Sequence, residues 1–192
     1  MDGPAALACS SLGLQLAPHF RTFWISASPA DFWGRRWNQA AASSLRMLIY
    51  QPIIDGSFLP PLPRPHKTRA AAAAGRPAGG GAAHQAAATA AAFGVSGAMH
   101  ELQFFYLRGR LSPGLAWFWF FALQAPLIIA ERSAVGALRR AGLAPPPALR
   151  TAVAACCIVG LAHALFFGPA ESQHLTRDVA AALHAFFVGL LA

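Results

Sequence analysis

His100 stands in Phe93-Gly94-Val95-Ser96-Gly97-Ala98-Met99-His100-Glu101-Leu102, just ahead of the apolar run Phe104-Phe105-Tyr106-Leu107. An imidazole within a membrane-length apolar stretch is expensive and points first to function. On a helix, Ser96, His100 and Gln103 fall at i−4, i and i+3 and share one face, with Gly97 beside them. A neutral imidazole, with an unperturbed pKa of about 6.5, is suited to taking a hydroxyl proton near pH 7. A packing histidine bonded to a neighbouring helix would give the same local pattern, so the upstream residues decide. Those are Asp31-Phe32-Trp33-Gly34-Arg35-Arg36-Trp37-Asn38. Indoles and guanidiniums together belong at a membrane–water boundary. An anchor helix has no need of the Asn38 amide, which is one of the standard oxyanion donors and could equally orient an imidazole.

The elements that must position these groups follow from local signals. Ser28 with Asp31 reads as a capping box, and Pro29 suits the first helical position. A helix is therefore expected to start there and run through Leu45, Arg46 and Met47 toward Tyr50. Pro52, Pro60, Pro61, Pro63 and Pro65 then break regular structure, and 70–81 is a low-complexity Ala/Gly tract. Three segments read as spans: Ala82 to Leu107, Leu111 to Ala130 with a kink at Pro126, and Thr151 to Phe167. A fourth, Val179 to Ala192, has only 14 residues and is expected to be either a truncated span or an interfacial piece.

Composition agrees with a membrane. The 192 residues are 56% hydrophobic and only 11% charged, where a soluble domain would carry roughly a quarter charged; mean hydropathy is +0.44. The fold class expected is all-α: a polytopic membrane protein of three to four transmembrane helices plus an N-terminal amphipathic interfacial helix. Arg64, Lys67, Arg69 and Arg76 before the first span, with Arg132, Arg139, Arg140 and Arg150 after the second, fall on one side. Arg108, Arg110 and Arg177 fall on the other, which assigns the first group to the cytosol. The net charge of +8 is thus accounted for by loops facing anionic membrane lipids, and no nucleic-acid motif accompanies it. Cys9, Cys156 and Cys157 lack metal-ligand spacing and read as small apolar packers. No metal site is expected: His100, His163 and His184 carry no ligand signature. Gly94-Val95-Ser96-Gly97 does not match a nucleophile elbow.

The two blocks, followed by Leu45-Arg46 and Tyr50-Gln51-Pro52, resemble the wax synthase branch of the membrane-bound O-acyltransferase family. The resemblance covers roughly Ser26 to the C-terminus without the Ala/Gly tract. It implies an all-helical protein of the endoplasmic reticulum membrane that moves a fatty acyl group from acyl-coenzyme A to a lipophilic alcohol. It carries the active-centre roles onto Asn38 and His100, with Arg35, Arg36, Trp37, Ser96 and Gln103 as substrate-binding candidates. Arg35, Arg36 and Arg46 could meet coenzyme A phosphates or lipid headgroups. No cofactor is implied beyond acyl-coenzyme A as co-substrate. Relative to the family pattern the chain lacks most N-terminal membrane helices, so a partial chain is expected. It divides into an N-terminal segment, 1–27, and an acyltransferase domain, 28–192, with an insertion at about 66–85. On the residues alone, a non-catalytic membrane protein, either a degenerate acyltransferase or a transporter fragment serving as a binding subunit, stands as the alternative. No motif encodes the acceptor, the acyl length or the oligomeric state.

The charge asymmetry places residues 78 and 144 on one face. Cysteines introduced at Ala78 and Ala144 are expected to react with an impermeant reagent from the cytosolic side only. Labelling from opposite sides would refute the span assignment.

Overall fold

A computed structural model describes residues 18–57 and 81–191. Expectations for the Ala/Gly tract, for Arg64, Lys67, Arg69 and Arg76, and for Cys9 fall outside these residues. Every regular element described is helical. Two helical stretches, Pro113–Arg140 and Pro147–Ser172, are long and apolar enough to cross a membrane.

The first departure from expectation falls in the aromatic-basic block. Ser28 does cap a helix, its Oγ accepting the Asp31 N–H at 2.9 Å, with Pro29 in the first turn. That helix, α1 (Pro29–Asp31), continues only as a π-helical turn, Phe32–Arg36, and ends at Trp37. Asn38 then turns left-handed, at φ 39° and ψ 69°, and starts a new helix by accepting the Ala41 N–H on its own Oδ1 at 3.2 Å. The continuous helix expected from Ser28 to Tyr50 is therefore two helices. Asn is among the few non-glycine residues that tolerate the left-handed region, and it is also a leading N-cap residue. The preceding chain secures the break: Arg21 N–H donates to Arg36 O and Gln39 N–H to His19 O, each at 2.8 Å. The new helix, α2, runs through Gln39–Leu45, a π-helical turn at Arg46–Tyr50, and Gln51–Asp55.

The central rod is α3, Ala82–Arg108, 27 residues long, or roughly 40 Å at 1.5 Å per residue. It begins where the apolar segment was expected to begin, and its first turn takes in residues 82–85 of the insertion as drawn from composition. Gly109, at φ 67°, ends it, a left-handed C-cap that glycine adopts without steric cost. The chain reverses through Pro113–Leu115 into α4, Ala116–Ala122, and then α5, Gln124–Arg140. Pro126 acts as expected. It has no N–H for the Ala122 carbonyl, and α4 gives way to α5 at Leu123, inside the turn that this missing bond would have closed.

Helix α6, Pro147–Leu161, continues through a π-helical turn at Ala162–Phe167 and through Gly168–Ser172. It is longer at both ends than the apolar run alone indicated, because Pro147 starts a helix readily and Gly168-Pro169 fits a first turn. Helix α7, Leu175–Leu191, likewise starts earlier than Val179. Its polar first turn is tied back, Asp178 pairing with Arg108 at 2.6 Å.

The α3–α4 hairpin packs backbone against backbone at Gly97. A Cβ on Gly97 would lie 2.7 Å from the Phe118 carbonyl oxygen and 3.2 Å from its Cα. Gly94, one turn earlier, faces nothing within 4 Å. Glu101, 5% exposed, locks the same junction. Its carboxylate accepts the Ser112 N–H, the Ser112 hydroxyl at 2.8 Å and the Phe118 N–H at 3.1 Å. Ser112 Oγ in turn accepts the Trp117 N–H. Two of the orphan donors at the start of α4 are thereby satisfied, and a negative charge sits at that helix's positive end. Behind it Phe104, Trp117, Ala170 and Leu175 form a buried cluster with Phe166.

Gly97→Ala is expected to destabilise the protein in detergent by about 1–3 kcal/mol through overpacking. Gly94→Ala is expected to be neutral or to gain up to about 1 kcal/mol, as an unhindered helical glycine should. Equal melting temperatures for the two variants would contradict the close approach.

Candidate active site

Where α2, α3 and α5 converge on the turn before Asn38 there is a cavity of about 390 Å³. Asn38 and His100, 62 residues apart in sequence, both line it, as do Trp37 and Ser96.

His100 is oriented by its own helix. Its Nδ1 lies 2.7 Å from the Ser96 carbonyl oxygen. A carbonyl can only accept, so Nδ1 carries the proton and Nε2 keeps its lone pair. The Phe121 ring is stacked on the imidazole, with centroids 3.9 Å apart and planes at 26°. Phe166 meets its edge at 6.1 Å. The ring therefore has one nitrogen pinned, one face covered and one nitrogen free to act as a base.

Asn38 is oriented by the helix it starts. With Oδ1 committed to the Ala41 N–H, the Nδ2 donors of this cavity-lining residue are left without a partner among the described residues. Trp37 beside it packs against Phe20, Phe23 and Phe32, at 5.0, 5.0 and 5.4 Å between centroids. Trp37 thus belongs both to this aromatic cluster and to the cavity wall.

The remaining expected residues separate. Ser96 takes part through its backbone carbonyl, while Gln103 is exposed and away from the cavity. Arg36 is drawn off by Asp31, Nε to Oδ2 at 2.7 Å, with a further bond to the Thr22 hydroxyl. Arg35 is exposed and does not border the cavity. The arginines that border it are Arg46 and Arg132. Arg46 was singled out with the first two, whereas Arg132 had been counted only as a cytosolic charge. No spacing in the sequence relates Arg132 to His100, since the α4–α5 break intervenes. His163 and His184 are exposed and lie away from the cavity.

The aromatic run 117–121 divides by helical period. Trp117, Phe120 and Phe121 are buried and Trp119 is exposed; only Phe121 reaches the cavity. Two polar residues conspicuous in the apolar runs, but given no role from sequence, are buried behind the site: Glu101, at the hairpin, and Gln124, bonded to Trp33 at 3.0 Å. Their signal was a charge or amide placed where an apolar rod has no reason to carry one.

An imidazole pinned through Nδ1 and an asparagine amide, both on residues bordering one largely apolar cavity in an all-helical scaffold, are groups of the kind suited to acyl transfer. The comparisons agree with that class. Residues 16–123 match the sequence model of the membrane bound O-acyl transferase family, a stretch that contains Asn38 and His100 alike. The chain belongs to the membrane-bound O-acyltransferase family. Acyl-CoA–sterol O-acyltransferase 1 of Arabidopsis thaliana is 35% identical over 124 residues, 62% of this chain and 29% of that protein. A probable long-chain-alcohol O-fatty-acyltransferase of the same plant is 29% identical over 170 residues, 88% of this chain and 44% of its own. The long-chain-alcohol O-fatty-acyltransferase of Simmondsia chinensis is 32% identical over 103 residues, 54% and 24% of the two chains. The chain thus spans less than half the length of these curated relatives. No solved structure matches it.

Proposed function

We propose that this protein transfers a fatty acyl group from acyl-coenzyme A to the hydroxyl of a lipophilic alcohol, forming a wax ester or related ester. The observation that carries this reading is the His100 geometry. Nδ1 is held by the Ser96 carbonyl, so Nε2 is left bare in a cavity that also holds the Asn38 amide.

The chemistry follows from those two groups. His100 Nε2 takes the alcohol proton as the oxygen attacks the thioester carbonyl. Negative charge develops on the former carbonyl oxygen, where the Asn38 Nδ2–H donates to it. Collapse of the tetrahedral intermediate breaks the carbon–sulfur bond, and the proton passes from the imidazolium to the departing thiolate. The largely apolar lining suits a lipophilic acceptor, and Arg46 and Arg132 suit the phosphates of coenzyme A.

The protein is integral to the membrane in this proposal, in the endoplasmic reticulum. Helix α3 and the stretches Pro113–Arg140 and Pro147–Ser172 each cross once, α7 supplies a fourth apolar helix, and the aromatic-basic segment lies at the interface. Two features support that topology. The loops after α3 and α6, which must share a side, are bonded to each other, Arg108 and Arg110 both donating to Gln173. And α3 turns its most costly group inward, Glu101 being buried in protein.

His100→Ala is expected to lower acyl transfer about 10²–10⁴-fold, with membrane insertion retained, in microsomes given radiolabelled acyl-coenzyme A and a panel of alcohols. Asn38→Ala should cost on the order of 10²–10³-fold. Asn38→Asp separates the two roles of this side chain, since it keeps the Oδ1 cap and loses the Nδ2 donor. It is expected to fold normally and to lose as much activity as Asn38→Ala. Retention of most activity by His100→Ala would overturn the mechanism.

A further inference from the structure

Gln124 is wholly buried, and both ends of its amide are used. The Trp33 indole N–H donates to its Oε1 at 3.0 Å. Its Nε2 donates to the Phe120 carbonyl oxygen at 3.0 Å. An amide enclosed in apolar surroundings has to place both its donor and its acceptor, so it accepts far fewer geometries than an aliphatic side chain of the same volume.

The two partners belong to the two halves of the site. Trp33 lies in the π-helical turn just before Asn38. Its indole packs on Phe93 of α3 at 5.9 Å and on Phe121 of α4 at 5.6 Å. Phe120 is the neighbour of Phe121, whose ring covers the His100 imidazole. Gln124 stands at the start of α5, where Pro126 has already interrupted the backbone ladder. Aromatic packing alone would let the Trp33 turn slide along α4, because ring contacts tolerate many offsets. The paired hydrogen bonds fix one register.

We propose that Gln124 is a positioning residue for acyl transfer: through Trp33 it sets the Asn38 turn, and through the Phe120–Phe121 end of α4 it sets the imidazole. The inference rests on the acyl-transfer reading above. Neither Gln124 nor the carbonyl it holds touches the reacting atoms, so its effect appears in the alignment of the Asn38 donor with His100 Nε2. A misplacement of about 1 Å costs on the order of 10²-fold in rate.

The test uses Gln124→Met, which keeps volume and loses both bonds, and Trp33→Phe, which keeps an aromatic ring and loses the N–H. Each is expressed singly and together in the full chain in microsomal membranes. Each single variant is expected to lower kcat about 10²-fold with the KM for acyl-coenzyme A unchanged. The double variant should be no worse than the poorer single one, since both break the same link. Multiplying effects, or a wild-type kcat per folded enzyme in either variant, overturns the proposal. A second readout does not need turnover: carbethoxylation of His100 by diethyl pyrocarbonate, followed by mass spectrometry. Both variants should speed it, because Phe121 no longer holds its place over the ring, and an unchanged rate in either one also overturns the link. If the wild-type chain transfers no acyl group, the acyl-transfer reading falls, and the carbethoxylation rates alone decide whether Gln124 couples the two halves.

Discussion

The buried Glu101 carboxylate is the interaction on which the rest of the structure depends. It takes the Ser112 N–H, the Ser112 hydroxyl and the Phe118 N–H. With them it fixes where α4 starts and how far it stands from α3. A carboxylate enclosed by protein is costly unless its lone pairs are filled. The chain around 112–118 therefore has few alternative paths. Once α4 is anchored there, Gly97 lets the Phe118 backbone come into contact with α3. One turn further along, Phe121 lands on the imidazole of His100. The residue next to the candidate base is thus the one that sets the wall against which that base rests.

Irregular backbone gathers around the cavity. Asn38 is left-handed, and two π-helical turns, Phe32–Arg36 and Arg46–Tyr50, contribute Trp33, Gly34, Arg46 and Tyr50 to its lining. A third, Ala162–Phe167, supplies Phe166 to the edge of the His100 ring. Such turns leave backbone groups out of the regular ladder, and two of these carbonyls are used elsewhere: that of Arg36 accepts the Arg21 N–H, and that of Phe166 accepts the Trp117 indole N–H at 2.9 Å. π-Helical turns of this kind widen a helix locally and re-aim its side chains, which is why they recur at functional sites.

Much of the scaffold was legible in the sequence because it depends on local signals. Ser28 with Pro29 marked a helix start, Pro126 marked a break, and the apolar runs marked α3 and α6. The pairing of Asn38 with His100 was legible only through the resemblance of two motif blocks, since no periodicity links positions 62 apart. The break at Trp37–Asn38 was missed because Gln39 onward is a good helix-forming stretch and nothing local forbids continuation. Arg21 and His19, which hold the break open, act from outside the helical pattern. The face-sharing argument worked for Ser96 and His100 but overreached at Gln103, because the cavity borders α3 over only part of its length. Arg35 and Arg36 failed as cavity residues for a different reason. Asp31 claims one, and the π-helical turn rotates the other outward, a shift that a 3.6-residue period cannot foresee.

A mostly apolar scaffold also sorts its polar groups in a way that identifies the site without reference to family. Glu101, Ser112, Gln124 and Trp33 spend their hydrogen-bonding capacity on one another and on backbone. Asn38 commits its oxygen to Ala41, and His100 commits its Nδ1 to Ser96. Among the described residues, Asn38 Nδ2 and His100 Nε2 have no further hydrogen-bond partner, and both residues border the same cavity. One is a donor and the other, by the tautomer that Ser96 imposes, an acceptor. A donor and an acceptor on residues that border one shared space suit a substrate that brings both an oxygen to stabilise and a proton to remove. A hydroxyl attacking an acyl carbonyl brings both.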